Sequence, residues 1–596
     1  MMHFDLLATL YSCFIFAFPL ASVLAQSPSS GSPVLTPEID AFINGLLSDW
    51  NSPGGLSVAV VRKADNGTWD VETKGYGLAK ADGTNVTERT LFSVGSNSKL
   101  FTALATGLLV ANQSLEPSIS WDTKIKNIIP GWGLTDPVAN EEAAIVDLMS
   151  HRTGMPRHDF VASLAANMTD VIQKFRFLKP SAEFRQTFQY TNIMYTLLSY
   201  IPASVLPSRP SFTRYVKANI FDPLGMSSTT YSFDAANATG NLADGFKKQQ
   251  LNSSASPFDS GIPRALPFWA QIGGEDGNSG SGPGGIISNA VDMASWLQVL
   301  LSGGQHPVTG ESVIPAEVIQ TVSSGVTIFT PSAQQPFLSP VVYGGGQFQS
   351  TYRGHVAAEH DGNVPGFNSF LSRFPFDGVG IAVLTNDDQL GSSISLAVKY
   401  HLADQALGLS PLDHKTIVGD ALVTAFQSSP PPMQRPANAT LPPNGIESLA
   451  GVYDDPAYGR IELCLAPTPT TMVAISPACE ALLSNITTVL PGTVDLNSTI
   501  PTLLAKWDRP FGEYVRLTHF DESIFGLSIF NSYPTGNITA PFWTSPVVVS
   551  GPIAEFALDN GTLGFGMIGV WGSGDGVPEL VGSTVRERSE VWFTKM

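Results

Sequence analysis

Apolar residues recur at helical spacing over residues 39–50 and again after Gly95. There Leu100, Phe101, Leu104 and Leu108 predict a helix entered through the polar run Ser96, Asn97, Ser98. Between the two, the continuous apolar run 56–61 predicts a strand, and residues 69–77 answer it across the Asp65, Asn66, Gly67 turn as a hairpin. From 110 to 270 the pattern is mostly helical with long loops, with helices expected over 143–149, 160–177, 193–201 and 212–220. A glycine-rich stretch, 273–285, leads into a helix expected over 286–301. Strands return at 355–360, 367–374 and 380–385, and a helix follows over about 393–407. Strands at both ends with helices between them predict one antiparallel sheet with helices on its faces and a helical subdomain, an α/β-type (α+β) layered domain.

The pattern changes after residue 427. Pro430, Pro431, Pro432, Pro436, Pro442 and Pro443 make 428–444 a stiff linker. The remainder, 445–596, is short apolar segments punctuated by Gly and Pro, with strands expected at 459–465, 487–490, 514–517, 525–530 and 590–593. That reads as a small all-β barrel or sandwich. The expected organisation is a leader over 1–25, a layered domain over 26–427, the linker, and a β domain over 445–596, consistent with a 596-residue chain being too long for one ordinary domain.

Hydrophobic residues make up 43% of the chain and charged ones 14%, a globular balance. The net charge of −19 argues against nucleic acid and anionic lipid surfaces as partners, and no nucleotide-cradling glycine motif calls for a cofactor. Residues 6–24 are almost wholly apolar, and Val23, Leu24, Ala25 offer the small residues of a signal cleavage site, with Gln26 starting the mature chain. The flank before that run carries no Lys or Arg, and the run would span a bilayer if retained. Export without stable membrane association is therefore the expectation, with an anchor as the alternative. Glycosylation sequons at Asn66, Asn85, Asn112, Asn167, Asn237, Asn252, Asn438, Asn485, Asn497, Asn537 and Asn560 suit the secretory pathway. With Cys13 removed in the leader, Cys464 and Cys479 are most simply one disulfide.

Chemistry concentrates around Ser96. Lys99 is the only lysine with a serine three residues before it, which puts the two side chains on one helical face. A buried amine of lowered pKa can take the proton of such a serine, and a helix N-terminus beneath it favours developing negative charge. Tyr190, Thr191, Asn192 form the only Tyr-x-Asn, and His360, Asp361, Gly362 the only His-x-Gly, followed by Asn363. A tyrosine near a lysine can shuttle protons, and a glycine on a strand edge lets a substrate approach while the next N–H faces an oxyanion. His355, Glu359 and His360 lie close together, but their spacing matches no zinc-protease helix motif and a strand would turn neighbours to opposite faces, so no metal is expected.

The order Ser-x-x-Lys, Tyr-x-Asn, then a basic residue-x-Gly resembles the serine β-lactamase and penicillin-recognising superfamily, and within it the class C β-lactamase, D-aminopeptidase and esterase branch (peptidase family S12-like). Residues 144–156 are similar to that family's "LLtHtSGlp" segment, residues 220–226 to its "PLGM" signature, and Gly284 to Ser288 with Asp292 and Met293 to its "GGl-S-a-Dma" helix start. The resemblance covers roughly 37–409. It implies a β-lactamase/transpeptidase-like fold and an acyl-enzyme on Ser96, activated with the help of Lys99. Tyr190 would be general base and acid, and Asn192 a substrate contact. The backbone N–H groups of Ser96 and Asn363 would form the oxyanion hole.

One departure stands out. β-Lactamases and penicillin-binding proteins carry Lys-Thr-Gly where this chain has His360, Asp361, Gly362. A neutral histidine and an acidic residue suit a neutral or amine-bearing ester or amide better than an acidic β-lactam. An esterase or D-aminopeptidase-like amidohydrolase acting on a small molecule or short peptide is therefore expected ahead of a true β-lactamase or an acyltransferase. An idle binding or scaffold protein is the alternative of another class. Residues 449–453 and 456–459 resemble the opening of lipocalin-like domains appended to family hydrolases.

Overall fold

The computed structural model describes residues 32–161, 163–249, 256–428, 434–466, 476–494, 498–547, 551–571 and 578–596. The predicted leader, sequons Asn252 and Asn497, and prolines 430–432 lie outside the described residues.

The first domain is built on an eight-stranded antiparallel sheet. Its strands are β1 (Gly55–Lys63), β2 (Trp69–Gly77), β3 (Thr327–Thr330), β4 (Val341–Tyr343), β5 (Phe348–Tyr352), β6 (His355–Val364), β7 (Phe367–Phe374) and β8 (Val379–Thr385), in the order β2-β1-β8-β7-β6-β5-β4-β3. The continuous apolar run of β1 follows from burial on both faces. Val58 and Val60 pack with Ile39 and Ile43 of α1 (Pro37–Asp49), whereas Ala59 and Val61 join Phe101 and Leu104 of α2 (Ser98–Val110) on the other side. Helices α3 (Asn192–Leu198) and α4 (Ala290–Leu301) lie on the α2 side, and α5 (Gly391–Ala406) covers the α1 side. This is the β-lactamase/transpeptidase-like layered fold expected from the sequence.

Three expected elements differ. Only Met168–Lys174 of the segment 160–177 is α-helical, started by Asn167, whose side chain accepts from Thr169 N at 2.8 Å. Phe160 is instead drawn sideways onto Trp507 of the second domain. Ile287–Ser288 pairs as a short strand with Phe92–Ser93, so α4 starts only after Asn289, which caps it through Asp292 N at 2.9 Å. The strand expected at 487–490 is the helical turn Ile486–Val489. Ile486 and Leu490, four residues apart, face one apolar cluster with Leu504 and Tyr514, a spacing a short apolar run leaves ambiguous. Strands β3 to β5, which widen the sheet, and the helix His414–Ser428 were absent from the sequence expectation.

The second domain is a closed antiparallel barrel. Its strands are β9 (Gly451–Asp455), β10 (Gly459–Leu465), β11 (Thr502–Arg509), β12 (Gly512–Asp521), β13 (Ile524–Pro534), β14 (Phe542–Val547), β15 (Ile553–Asp559), β16 (Thr562–Ile568) and β17 (Val591–Lys595). The ring runs β12-β11-β10-β9-β17-β16-β15-β13 and closes by pairing β13 with β12, leaving β14 as a flap on the far half of β13. Closure removes the free edges that so many short strands would otherwise expose. Cys464 and Cys479 are disulfide-bonded. The barrel is no loose appendage, because one hydrophobic cluster continues from Ile145, Leu148 and Phe175 into Tyr458, Trp507 and Trp571.

Candidate active site

Ser96 sits in a single tight helical turn, Gly95–Asn97, at the head of α2 and is half-buried. Two glycines let this turn touch the edge of β6 backbone to backbone. Gly95 has φ +52°, and a Cβ there would stand 2.7 Å from Asn363 N; one on Gly362 would stand 2.0 Å from Val94 O. The turn is fastened by Asn97 Nδ2 donating to Ser369 Oγ at 2.8 Å and by Ile286 N donating to Ser98 Oγ at 3.0 Å. The proposed oxyanion donors, the N–H groups of Ser96 and Asn363, therefore belong to two backbones held in contact.

Lys99 is wholly buried, with its Nζ 2.9 Å from Ser96 Oγ, 2.8 Å from Asn192 Oδ1 and 2.9 Å from Pro283 O. Burial drives its pKa well down, and the Arg157 charge adds to that, against the opposing pull of Asp159 and Asp361. A neutral amine fits this surrounding: its two N–H groups serve Asn192 and Pro283, and its lone pair faces the serine hydroxyl. The Asn192 amide is oriented by Nδ2 donating to Asp159 Oδ1 at 2.9 Å.

The Tyr190 ring lies 4.7 Å from Lys99 Nζ and 4.8 Å from the Arg157 guanidinium. Its chain is clamped on both sides by one residue: Gln189 N donates to His151 O at 2.8 Å and Thr191 N to His151 Nδ1 at 3.2 Å. Burial pushes the Tyr190 phenol upward, with Arg157 and a hydrogen bond to Ser96 pulling the other way. The tyrosine thus favours the protonated form and the lysine the unprotonated one, the reverse of a phenolate beside an ammonium.

The three residues of His360, Asp361, Gly362 part company, as alternation along a strand requires. His360 is buried behind Tyr190, ring centroids 6.1 Å apart, where it does not line the cleft. Its Nδ1 donates to Asp361 O at 2.5 Å, leaving Nε2 to accept from the Tyr343 hydroxyl at 3.1 Å. Burial lowers its pKa to about 4, so it is neutral at pH 7. His360, expected to contact substrate, thus stands in the wall behind the cleft and not on its lining. Asp361 does line the cleft, its side chain 54% exposed. The neighbouring acidic and basic groups are otherwise engaged: His355 with Asp377 at 2.9 Å and Glu359 with Lys399 at 3.0 Å. Among the described residues no cluster of three metal-ligating side chains forms.

Two recesses meet at Ser96. A cleft of about 690 Å³ is lined by Tyr190, Asp361 and Asn363 and, from the barrel, by Tyr533 and Trp571. A smaller apolar recess of about 90 Å³ is lined by Val161, Ile193, Trp269 and, from the barrel, Phe511. Trp269 and Phe511 stack across the domain boundary with centroids 6.0 Å apart. Sequence reasoning missed Arg157, Asp159 and the barrel residues. The first two directly follow the segment 144–156 that carried the resemblance; nothing in the sequence marked the others.

Comparison with known proteins bears on this geometry. A family model described as Beta-lactamase matches residues 52–405. The chain is 30% identical over 462 residues to "Unguisins hydrolase ungD'" of Aspergillus campestris (strain IBT 28561), spanning 74% of this chain and 80% of that protein. It is also 30% identical over 472 residues to "Unguisins hydrolase ungD" of Aspergillus violaceofuscus (strain CBS 115571), spanning 74% and 79%. Among solved structures, the octameric penicillin-binding protein homologue from Pyrococcus abyssi aligns over 94% of this chain and 99% of its own, at 17% identity and a TM-score of 0.52, a likeness of fold.

Proposed function

The chain belongs to the beta-lactamase family, and from that premise we propose that it is a serine hydrolase forming an acyl-enzyme on Ser96 from an ester or amide. The observation that carries the proposal is the buried Lys99 nitrogen 2.9 Å from Ser96 Oγ, its other two contacts both acceptors. As Oγ attacks the carbonyl carbon, its proton passes to the neutral Lys99 amine. The carbonyl oxygen gathers charge against the N–H groups of Ser96 and Asn363, a contribution of about 2.7–4 kcal/mol per donor in comparable sites. The C–O or C–N bond then breaks, and Tyr190 hands the departing oxygen or nitrogen a proton, restored to it from Lys99. A water molecule, deprotonated by the same groups, cleaves the acyl-enzyme and returns Ser96.

The environment of Asp361 and the neutrality of His360 support a neutral or amine-bearing substrate over a β-lactam carboxylate. Because two relatives are named for hydrolysing unguisins, these compounds join the first substrates to test. Export is part of the same reading. No helix among the described residues is long and apolar enough to cross a membrane, one disulfide is formed, and the nine described sequon asparagines are all exposed.

The test is labelling by a fluorophosphonate, followed by a panel of p-nitrophenyl esters, D- and L-aminoacyl anilides, unguisins and nitrocefin. Labelling that disappears in Ser96→Ala, with turnover of an ester or amide ahead of nitrocefin, is the expected result. A protein that no acyl reagent modifies would instead be a binding or scaffold relative.

A further inference from the structure

The short irregular segment Arg157, His158, Asp159, Phe160 runs between the candidate active site and the barrel, and its side chains divide between the two. Arg157 and Asp159 face the site. The Arg157 guanidinium stands 4.8 Å from the Tyr190 ring centroid, and Asp159 Oδ1 accepts from Asn192 Nδ2 at 2.9 Å. The two also pair with each other at 3.3 Å. His158 and Phe160 face the barrel. His158 Nε2 lies 3.1 Å from Lys179 O, an acceptor, so Nε2 carries the proton and Nδ1 accepts from the Tyr458 hydroxyl at 2.7 Å. The His158 ring meets Trp571 edge-on at 5.1 Å, and Phe160 stacks on Trp507 at 5.4 Å. The barrel grips the neighbouring chain as well, through Lys179 Nζ donating to Ser589 O at 2.9 Å.

We infer that residues 157–160 form a positioning strap through which the barrel sets Tyr190 and Asn192 against Ser96 and Lys99, with Arg157 and Asp159 as the positioning residues. The inference rests on the reading of Ser96 as nucleophile. Tyr190 and Asn192 are half-buried at the rim of the cleft, where less packing holds them than holds Lys99. Asn192 is oriented by Asp159, and Tyr190 is sandwiched between Arg157 on one side and His151, at 4.5 Å, on another. Neither strap residue touches the barrel in these contacts, yet the residues alternating with them are anchored in it. A shift of the barrel therefore reaches the site as a shift of Arg157 and Asp159. The other ionisable groups around Lys99 are Asp361 from β6, Tyr190, Tyr195, His151 and His360, none of which is carried by the strap.

The test uses the full-length enzyme and a p-nitrophenyl ester that the wild type hydrolyses, with thermal midpoints measured beside the kinetics. Tyr458→Phe removes one hydroxyl at the barrel end of the strap. It is expected to keep its midpoint while kcat falls roughly ten- to a hundredfold, as for a small misplacement of reacting groups, with KM little changed. Arg157→Gln is expected to move the acid limb of kcat/KM to higher pH, because it removes a cation that opposes protonation of Lys99. Arg157→Lys is expected to restore that limb. Wild-type kcat in Tyr458→Phe would overturn the strap, whatever limb Arg157→Gln shows; should Tyr458→Phe unfold, Phe160→Leu at the strap's other barrel anchor decides by the same kcat readout. If the wild type hydrolyses no ester and Ser96 cannot be acylated, the serine-hydrolase reading itself fails and the strap falls with it, an outcome separate from the first.

Discussion

Lys99 Nζ lies 2.9 Å from Ser96 Oγ inside a pocket that strips the lysine of water and supplies two acceptors in return. The amine can act as a base only if it can lose its proton there. Lys99→Arg keeps a long nitrogen-bearing chain but holds its proton at any working pH, so it is expected to behave as badly as Lys99→Met. Both are expected to lower the acylation rate by roughly 10²–10⁴-fold, the range of a positioned general base. Lys99→Met is also expected to lower the thermal midpoint, because it leaves Asn192 Oδ1 and Pro283 O without their donor. Stopped-flow acylation beside thermal unfolding separates the two effects.

Asp361 offers a second handle, on substrate choice. Its carboxylate lines the cleft at 54% exposure, and the nearest base, His360, is neutral. Between two amides differing only in a free α-amine, the wild type is expected to prefer the amine-bearing one. Asp361→Asn is expected to reduce that preference by up to about fivefold, the size of a partly exposed charge pair. The ratio of kcat/KM for the two substrates, measured in low and high salt, checks it; a ratio unchanged by Asp361→Asn contradicts the assignment.

These contacts also show how far the sequence was legible. Ser96 and Lys99 could be paired from their spacing because both lie within one turn of the same helix head, and short apolar runs bounded by turn residues, with helical spacing, found β1, β2, β6, β7, β8 and α5. Asp361 and His360 could be placed on one strand, but not assigned to its two faces, since the register depends on β7 and the packing of Tyr343. The strands β3 to β5 escaped notice because they are short and only half-covered. Arg157 and Asp159 sit in a segment without periodicity, whose direction is set by Tyr458 and Trp507 some 300 residues away along the chain. Local pattern carries no record of a contact of that kind.

The disulfide gives a prediction about the barrel. Cys464 in β10 and Cys479 are 15 residues apart, and cross-linking a loop of that length restrains the unfolded chain by about 3 kcal/mol. The double variant Cys464→Ser, Cys479→Ser is expected to unfold at correspondingly lower temperature or denaturant concentration. Neither cysteine lines the cleft, so hydrolysis below that transition should continue at the wild-type rate. Denaturant titration and an ester assay on the same preparation check both halves; an unshifted transition would mean the loop is restrained by other contacts.

His158 gives the last prediction, the pH dependence of the domain contact. Burial lowers its pKa from 6.5 to about 4, outweighing the Lys179 carbonyl and the Asp159 charge, which pull upward. A histidine whose folded pKa is depressed contributes its full stability above the unfolded value and loses it as the pH falls towards the folded one. The window is therefore pH 6.5 down to about 4, and a depression of that size corresponds to roughly 3 kcal/mol once both forms are protonated. His360 titrates in the same window, so the wild-type curve alone does not isolate His158. Glutamine can isolate it, because its carbonyl can accept from the Tyr458 hydroxyl and its amide can donate to Lys179 O without titrating. The stabilities of wild type and His158→Gln are expected to run parallel above pH 6.5 and to diverge below it, with the wild type falling faster. Denaturant unfolding followed from pH 8 to pH 4 measures the difference, and curves that stay parallel throughout would show that His158 remains neutral without cost.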